Sequence, residues 1–90
     1  MKSGSVEIVN KLGLHARAAS KLVNVTKSYA ARIELGRSGA PPVDAKSIMA
    51  VMMLEAIEGT ILELRCEGDD EDDAFRAVCE VVANRFGEDE

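Results

Sequence analysis

The segment from Thr60 to Glu67 constrains the fold more than any other part of the sequence, because its side chains alternate between two sides of an extended chain. One side carries Leu62, Leu64 and Cys66, and the other carries Ile61, Glu63 and Arg65. A repeat of two is typical of a β-strand, and the charged second side indicates a sheet with one solvated face. The rest of the chain is therefore expected to cover the opposite face.

The other segments follow in an order that predicts an α+β domain. Further strands are predicted at 6–9, at 32–35 before a turn at 36–39, and at 42–44, where Pro41 and Pro42 indicate a sheet edge. Helices are predicted from Ala16 to about Tyr29, from Ile48 to about Ala56 with an end near Gly59, and from the acidic run 69–73 to Gly87. This βαββαβα order predicts a single domain, residues 1–90, with three helices on one face of a four-stranded antiparallel sheet, an open-faced β-sandwich.

Two of the predicted helices show a clear apolar face. In the first helix this face consists of Ala18, Ala19, Leu22, Val25, Thr26 and Tyr29, and in the last of Phe75, Val78, Cys79, Val82 and Phe86. Arg17 and Lys21 share a polar side of the first helix, since they are four residues apart. The acidic first turn of the last helix is expected to cap it and to complement its dipole.

A chain of 90 residues forms one core, and its sequence excludes several classes of protein. The longest apolar run, 48–54, has seven residues, whereas a membrane-spanning helix needs about 20. We find no segment of signal-peptide length, so a cytoplasmic protein is expected. A domain of this size with one core can stand alone, so a monomer is expected. Cys66 and Cys79 are expected to be reduced core thiols, and one histidine gives no zinc site, so neither metal nor cofactor is expected.

Charge is distributed unevenly along the chain. Residues 1–66 contain nine Lys or Arg and six Asp or Glu, whereas residues 67–90 contain two Arg and ten acidic residues. The acidic last part argues against nucleic acid as a partner. Because the chain has only two phenylalanines and one tyrosine, it also lacks the aromatic platform on which RNA bases stack.

His15 is the residue to which the sequence most clearly assigns chemistry. It precedes the first predicted helix, so its ring would face the unpaired N–H groups of the first turn, a geometry that binds anions. The helix dipole disfavours the imidazolium form, so a neutral, nucleophilic ring is expected. A phosphoryl group on the ring would also meet the guanidinium of Arg17. The alternative is that His15 only caps the helix.

Two motifs resemble those of one protein family. Residues 10–19, NKLGLHARAA, resemble the phosphohistidine signature of HPr, the phosphocarrier of the phosphoenolpyruvate-dependent sugar phosphotransferase system. Residues 44–54, DAKSIMAVMML, resemble the motif around the regulatory serine of that family, and residues 67–70 extend the likeness. The resemblance implies a carrier rather than an enzyme. His15 would take a phosphoryl group from Enzyme I and pass it to IIA domains of sugar permeases, with Arg17 stabilising the phosphohistidine.

Ser47 is the second candidate for modification. It is a good N-cap for the helix that follows, and a cap needs no other role. The resemblance implies that Ser47 is also the target of an HPr kinase/phosphorylase. Phosphate there would add a charge of about −1.5 to −2 and would repel an acidic surface on Enzyme I, so phosphorylation at Ser47 is expected to oppose phosphorylation at His15.

A surface for partner proteins is predicted around these motifs. Its candidate residues are the basic Arg17, Lys21 and Lys46, which would steer the chain onto an acidic partner, and the apolar Ile48, Met49 and Met52, which would anchor it. The short helix that carries the last three is apolar nearly all round. Some of its methionines are therefore expected to be buried.

One position departs from the family pattern, because Ala18 stands where the family usually has proline. Alanine forms helix well but leaves an additional N–H in the first turn, which puts transfer rate and partner choice in question. A second interpretation is therefore an HPr-like regulatory protein that signals by its phosphorylation state without feeding sugar transport. A third is a ferredoxin-like binding module in which His15 is only a cap.

Overall fold

The computed structural model describes all 90 residues and contains one four-stranded sheet with three α-helices. In chain order the elements are β1 (Lys2–Glu7), α1 (Ala16–Thr26), β2 (Arg32–Arg37), β3 (Val43–Asp44), α2 (Ile48–Met52), β4 (Ile61–Glu67) and α3 (Glu71–Ala83), followed by a 3-10 turn (Arg85–Gly87). The strands lie in the order β1-β4-β2-β3, and every neighbouring pair is antiparallel. The predicted open-faced α+β sandwich is confirmed. None of the helices is long and apolar enough to span a membrane.

Strand β4 lies inside the sheet, between β1 and β2. Its inward side chains, Leu62, Leu64 and Cys66, are fully buried, whereas every other residue of the strand is exposed. The alternation in the sequence thus corresponds to the two faces of the sheet. Burial raises the pKa of the Cys66 thiol to about 11, so this sulfur is a packing group rather than a nucleophile.

Helix α1 differs from its prediction in its end and in one core residue. It ends at Thr26, not near Tyr29, and the fully buried Thr26 hydroxyl donates to the Ala45 carbonyl at 2.8 Å. Val23 is buried, and the predicted Val25 is only half-buried. The reason is that the neighbouring α2 and α3 contact two sides of α1, which widens its buried face beyond a single stripe.

Helix α2 is shorter than predicted, because it ends at Met52 and not near Ala56. Two residues after its cap, Glu55 takes a left-handed backbone conformation with φ 51°. The guanidinium of Arg37 donates to the carbonyls of Leu54 and Glu55, at 2.8 and 2.7 Å. These two bonds satisfy carbonyls that would otherwise continue a helix, so the chain turns away here.

The strand boundaries also differ. Strand β1 runs from Lys2 to Glu7, earlier than the predicted 6–9, because it pairs along the whole of β4 from Lys2 opposite Cys66 to Glu7 opposite Ile61. Strand β3 is reduced to Val43 and Asp44, which lie at the edge of the sheet as the preceding prolines predicted.

The start of α3 also departs from its prediction. Asp70 is the N-cap residue, but its side chain does not bond to the helix that it precedes. Its two carboxylate oxygens accept from the backbone N–H groups of Ala30 and Ala31, at 2.9 and 2.8 Å. The bond from Ala30, more than the one from Ala31, lowers the pKa of Asp70. This carboxylate therefore joins the loop before β2 to the start of α3.

Replacing Asp70 with alanine should destabilise the fold at neutral pH. A carboxyl whose pKa is lowered in the folded state stabilises that state above the pKa of the unfolded chain, and this contribution is lost as the pH falls through the lowered folded value. Urea unfolding at several pH values should therefore show a difference between parent and Asp70→Ala at pH 7 that diminishes in acid. The exposed Asp69→Ala is the matched control, and an equal loss in both variants would contradict this role for Asp70.

Candidate functional site

The loop before α1 is fixed by a close approach of two backbones. Gly13 has φ 72°, and a Cβ on it would lie 2.5 Å from the Ala56 carbonyl oxygen, so no other residue fits without displacing the loop. The next residue, Leu14, donates its N–H to the same carbonyl at 2.9 Å. The segment that follows α2 thus fixes the position of His15 at the start of α1.

Asn10 closes this loop from the inside and is fully buried. Its side-chain Nδ2 donates to the Gly13 carbonyl at 2.8 Å, while its Oδ1 is buried without a partner. An unpaired buried oxygen costs about 1–3 kcal/mol. The fold tolerates this cost at Asn10, and Nδ2 of the same side chain also donates to Glu88, which contacts His15.

His15 is the N-cap of α1 and has an extended backbone, with φ −75° and ψ 179°. Its ring Nδ1 accepts from the backbone N–H of Arg17 at 3.2 Å, so this nitrogen carries a lone pair and not a proton. The imidazole side chain is about one-third exposed, at 31%. The lone pair therefore faces the positive end of α1 at the protein surface.

The other ring nitrogen, Nε2, contacts the Oε2 atom of Glu88. Since Nδ1 is an acceptor, the proton of the neutral ring resides on Nε2, and Nε2 donates to the carboxylate. The second oxygen of Glu88 accepts from Nδ2 of Asn10 at 3.0 Å. The pKa of Glu88 is lowered by the bond from Asn10 and further by His15 and Lys21, against the effect of partial burial.

Glu88 reaches His15 because the chain reverses after α3. Arg85, Phe86 and Gly87 all have left-handed backbones, with φ 57°, 53° and 80°. The Phe86 side chain between them is buried, with 1% of it exposed. An aromatic residue rarely adopts this conformation, so the burial of Phe86 must offset the strain. A salt bridge of 3.6 Å between Lys11 and Glu90 lies farther along the same segment.

These residues enclose an open cleft of about 310 Å³, which is lined by Lys11, Leu12, His15, Arg17, Glu88 and Glu90. Arg17 is exposed, and its guanidinium forms none of the salt bridges of the structure. A larger groove of about 590 Å³ runs between α1 and α3, but His15 does not line it. A ring nitrogen that carries a lone pair, with an uncommitted guanidinium two residues away, suits a phosphoryl group.

The other predicted site residues lie farther from the ring. Lys21 lies near the turn after α3, because a Cβ on Gly87 would be 3.2 Å from its Nζ. Lys46 donates from Nζ to the Tyr29 carbonyl at 2.6 Å, just beyond the end of α1. Lys21 thus faces the segment that carries Glu88, whereas Lys46 links the loop before α2 to the loop after α1.

Ser47 caps α2, and its Oγ accepts from the Ala50 N–H at 3.2 Å. Helix α2 begins beside the last turn of α1 and ends toward its first turn, since Thr26 bonds to Ala45 and Leu14 bonds to Ala56. Ser47, two residues after Ala45, therefore lies toward the end of α1 opposite to His15.

The expectation that some methionines of α2 are buried is wrong. Ile48, Met49 and Met52 are exposed, and so is Met53, which is the most exposed of the four at 75%. Val51 and Leu54 fill the core side instead, because this one-turn helix has space for only a narrow buried face. Leu12 and Ile57 are also exposed near the His15 loop, so the apolar surface is larger than the sequence indicated.

Two residues of the site were missed in the sequence. Asn10 carried no sign of burial among its polar neighbours, and Glu88 stood in a short acidic run typical of solvated chain. Glu88 is 73 residues from His15, so no local pattern could have paired them. Only Gly87, which the sequence placed at the end of the last helix, indicated a change of chain direction before Glu88.

Comparison with known proteins gives consistent matches. A family model described as "PTS HPr component phosphorylation site" matches residues 2–84. The phosphocarrier protein HPr of Pseudomonas aeruginosa is 51% identical over 90 residues, covering all of both chains. The phosphocarrier protein NPr of Escherichia coli is 35% identical and covers 94% of each. A crystal structure of HPr-C-His from Thermoanaerobacter tengcongensis has a TM-score of 0.93 at 38% identity and covers both chains completely.

Removing the Phe86 ring should both destabilise the protein and release the segment that carries Glu88. Loss of a buried phenylalanine typically lowers the free energy of unfolding by about 3–5 kcal/mol, and Phe86→Ala is expected to fall in this range. Denaturant unfolding measures the loss. Phe75→Ala is the matched control, because that ring is only half-buried and should cost less. Equal losses in the two variants would show that Phe86 is not the anchor of this segment.

Proposed function

Because this chain belongs to the HPr family, the phosphocarriers of the phosphotransferase system, which are not enzymes, we propose that it accepts a phosphoryl group on His15 from phosphorylated Enzyme I. It then passes the group to IIA domains of sugar permeases and acts as a cytoplasmic monomer. The single observation that carries this proposal is the direction of the His15 lone pair, which lies on Nδ1 at the start of α1.

Transfer requires only one bond to form and one to break. The lone pair of Nδ1 attacks the phosphorus of the donor phosphohistidine, and the bond between that phosphorus and the donor nitrogen breaks, leaving its electron pair on the donor. The proton of His15 stays on Nε2 throughout. Such transfer depends mainly on positioning and on stabilising charge, so a small carrier contributes its half of the site and the partner completes it.

The start of α1 supplies donors for the phosphoryl oxygens. The N–H of Arg17 already points at Nδ1, and the N–H of Ala18 makes no backbone hydrogen bond. The exposed guanidinium of Arg17 adds a charge-assisted, bidentate partner. The alanine at position 18 therefore adds a donor to this site, whereas a proline would remove it.

The surface around the cleft supports docking to an acidic partner. Arg17 and Lys21 lie on the first turns of α1, and the exposed side chains of Ile48, Met49 and Met52 extend along α2. To this surface we add Leu12, which is 71% exposed in the loop before His15, and Met53, which is 75% exposed next to Met52 at the end of α2. Lys46 contributes less, since its ammonium group is already bonded to the Tyr29 carbonyl.

Ser47 is proposed as the regulatory site for an HPr kinase/phosphorylase. Its hydroxyl is half-buried at the start of α2, at the far end of the same apolar surface from His15. Phosphate there would lie toward the opposite end of α1 from the ring, so its effect on transfer would arise at the docking surface, by repulsion of an acidic partner.

The main test is to incubate the protein with Enzyme I and phosphoenolpyruvate and to follow its mass and the acid lability of the product. One acid-labile phosphoryl group is expected, and His15→Ala should lose it completely. Arg17→Lys should keep the charge but lose the bidentate contact and transfer about tenfold more slowly. A His15→Ala protein that still becomes phosphorylated would refute the proposal.

A second stage of the same test separates transport from regulation. Rapid transfer from the phosphorylated chain to IIA domains supports the carrier function. Phosphorylation of His15 without onward transfer would support the alternative, in which the chain signals by its phosphorylation state.

Two substitutions at Ser47 should separate its effect on stability from its effect on transfer. Ser47→Asp retains a capping side chain and adds charge, so stability should be kept while transfer from Enzyme I slows by about tenfold. Ser47→Ala removes the cap, so the free energy of unfolding should fall by about 1 kcal/mol while transfer is unchanged. Stopped-flow transfer and urea unfolding measure the two quantities. Unimpaired transfer to Ser47→Asp and to the Ser47-phosphorylated protein would exclude the regulatory role.

A further inference from the structure

We propose that Glu88 is a positioning residue for His15, which holds the ring proton on Nε2 and stabilises the ring while Nδ1 carries the phosphoryl group. This inference rests on the proposed function of His15 as the phosphoryl acceptor. It assigns a role to a residue outside both sequence motifs.

The first argument is that both oxygens of the carboxylate are engaged. Oε2 of Glu88 accepts from His15, and Oε1 accepts from Asn10 at 3.0 Å. Asn10 is itself fully buried and tied to the Gly13 carbonyl, so it cannot rotate away. The carboxylate is therefore held in one orientation relative to the ring, as the second partner of a catalytic or ligating histidine commonly is.

The second argument is the backbone that brings Glu88 to this place. Arg85 and Phe86 are non-glycine residues in the left-handed region, and they are consecutive. Strained conformations persist where the surrounding structure enforces them, and they are often found at functional sites. Here the turn is anchored by the buried Phe86, and two residues later Glu88 reaches the ring.

The third argument is the charge that develops during transfer. When Nδ1 forms its bond to phosphorus and Nε2 keeps its proton, the ring becomes cationic. A carboxylate on Nε2 stabilises this charge and keeps the lone pair of the resting ring on Nδ1. The other charged groups near the ring are Arg17, Lys11 and Glu90 in the cleft, with Lys21 on the far side of Glu88. Of the two acids in the cleft, Glu88 and Glu90, only Glu88 bonds to the ring.

The experiment compares Glu88→Ala and Glu88→Gln with the parent, and uses Asp89→Asn as the matched control. Asp89 is exposed, and the control removes one neighbouring negative charge without touching the ring. The phosphoryl donor is phosphoramidate, a small molecule that does not dock, so changes in Enzyme I binding cannot affect the rate. Nitrogen-15-edited proton NMR of the unphosphorylated protein measures how strongly the Nε2 proton of His15 is protected from exchange.

We expect phosphorylation of His15 to be about tenfold slower in Glu88→Ala and unchanged in Asp89→Asn. Glu88→Gln keeps an acceptor oxygen but no charge, so it should lie between them. The ring proton should be protected in the parent and should exchange rapidly in Glu88→Ala. Denaturant unfolding of each variant confirms that the comparison is made on folded protein.

A Glu88→Ala protein that is phosphorylated at the parental rate would overturn the inference, and so would equal protection of the ring proton in that variant and the parent. Failure of the proposed function gives a different result. In that case His15→Ala would be labelled as well as the parent, whereas failure of this inference alone leaves labelling dependent on His15 and independent of Glu88.

Discussion

Burial of one face of β4 is the interaction on which the remaining structure depends. Leu62, Leu64 and Cys66 are fully buried beneath the helices, while the charged face of the same strand is exposed. Because only one face is apolar, all the helices must lie on that side, and the loops that enter and leave them meet at the edges of one layer. The approach of Gly13 to Ala56 is such a meeting, and it brings the start of α1 to the surface with its first N–H groups uncovered.

The features that sequence reasoning predicted correctly are those that arise from short-range patterns. The alternation at 60–67 predicted β4, and the residue types at 13–17 predicted that His15 lies at the start of α1 with its ring facing the first N–H groups. The apolar stripe predicted for the last helix is confirmed at Val78, Val82 and Phe86, whereas Phe75 and Cys79 are only half-buried. The failures share a cause, which is contact between residues far apart in the chain. Asp70 bonds 40 residues back to Ala30 instead of capping α3, and Arg37 ends α2 through carbonyls 17 and 18 residues away. No local pattern encodes such pairs.

The ring of His15 is held between two kinds of electrostatic partner. On Nδ1 it meets the N–H of Arg17 at the positive end of a helix, which disfavours a proton there. On Nε2 it meets the carboxylate of Glu88, which favours one. The two sides of a single five-membered ring are thereby made inequivalent, and under the proposed function Nδ1 is the nitrogen that reacts.

The antiparallel packing of α1 and α2 has a consequence for how modifications at the two ends of α1 affect each other. The two candidate modification sites lie toward opposite ends of α1, with His15 at its start and Ser47 two residues after Ala45, which accepts from Thr26 in its last turn. Perturbations at sites that are far apart and share no contact usually add in their effects on stability. Phosphate at Ser47 would therefore affect His15 through a partner protein that covers both ends of α1, and not through contact within the domain. Any coupling between the two modifications would thus be a property of the partner proteins and not of this domain alone.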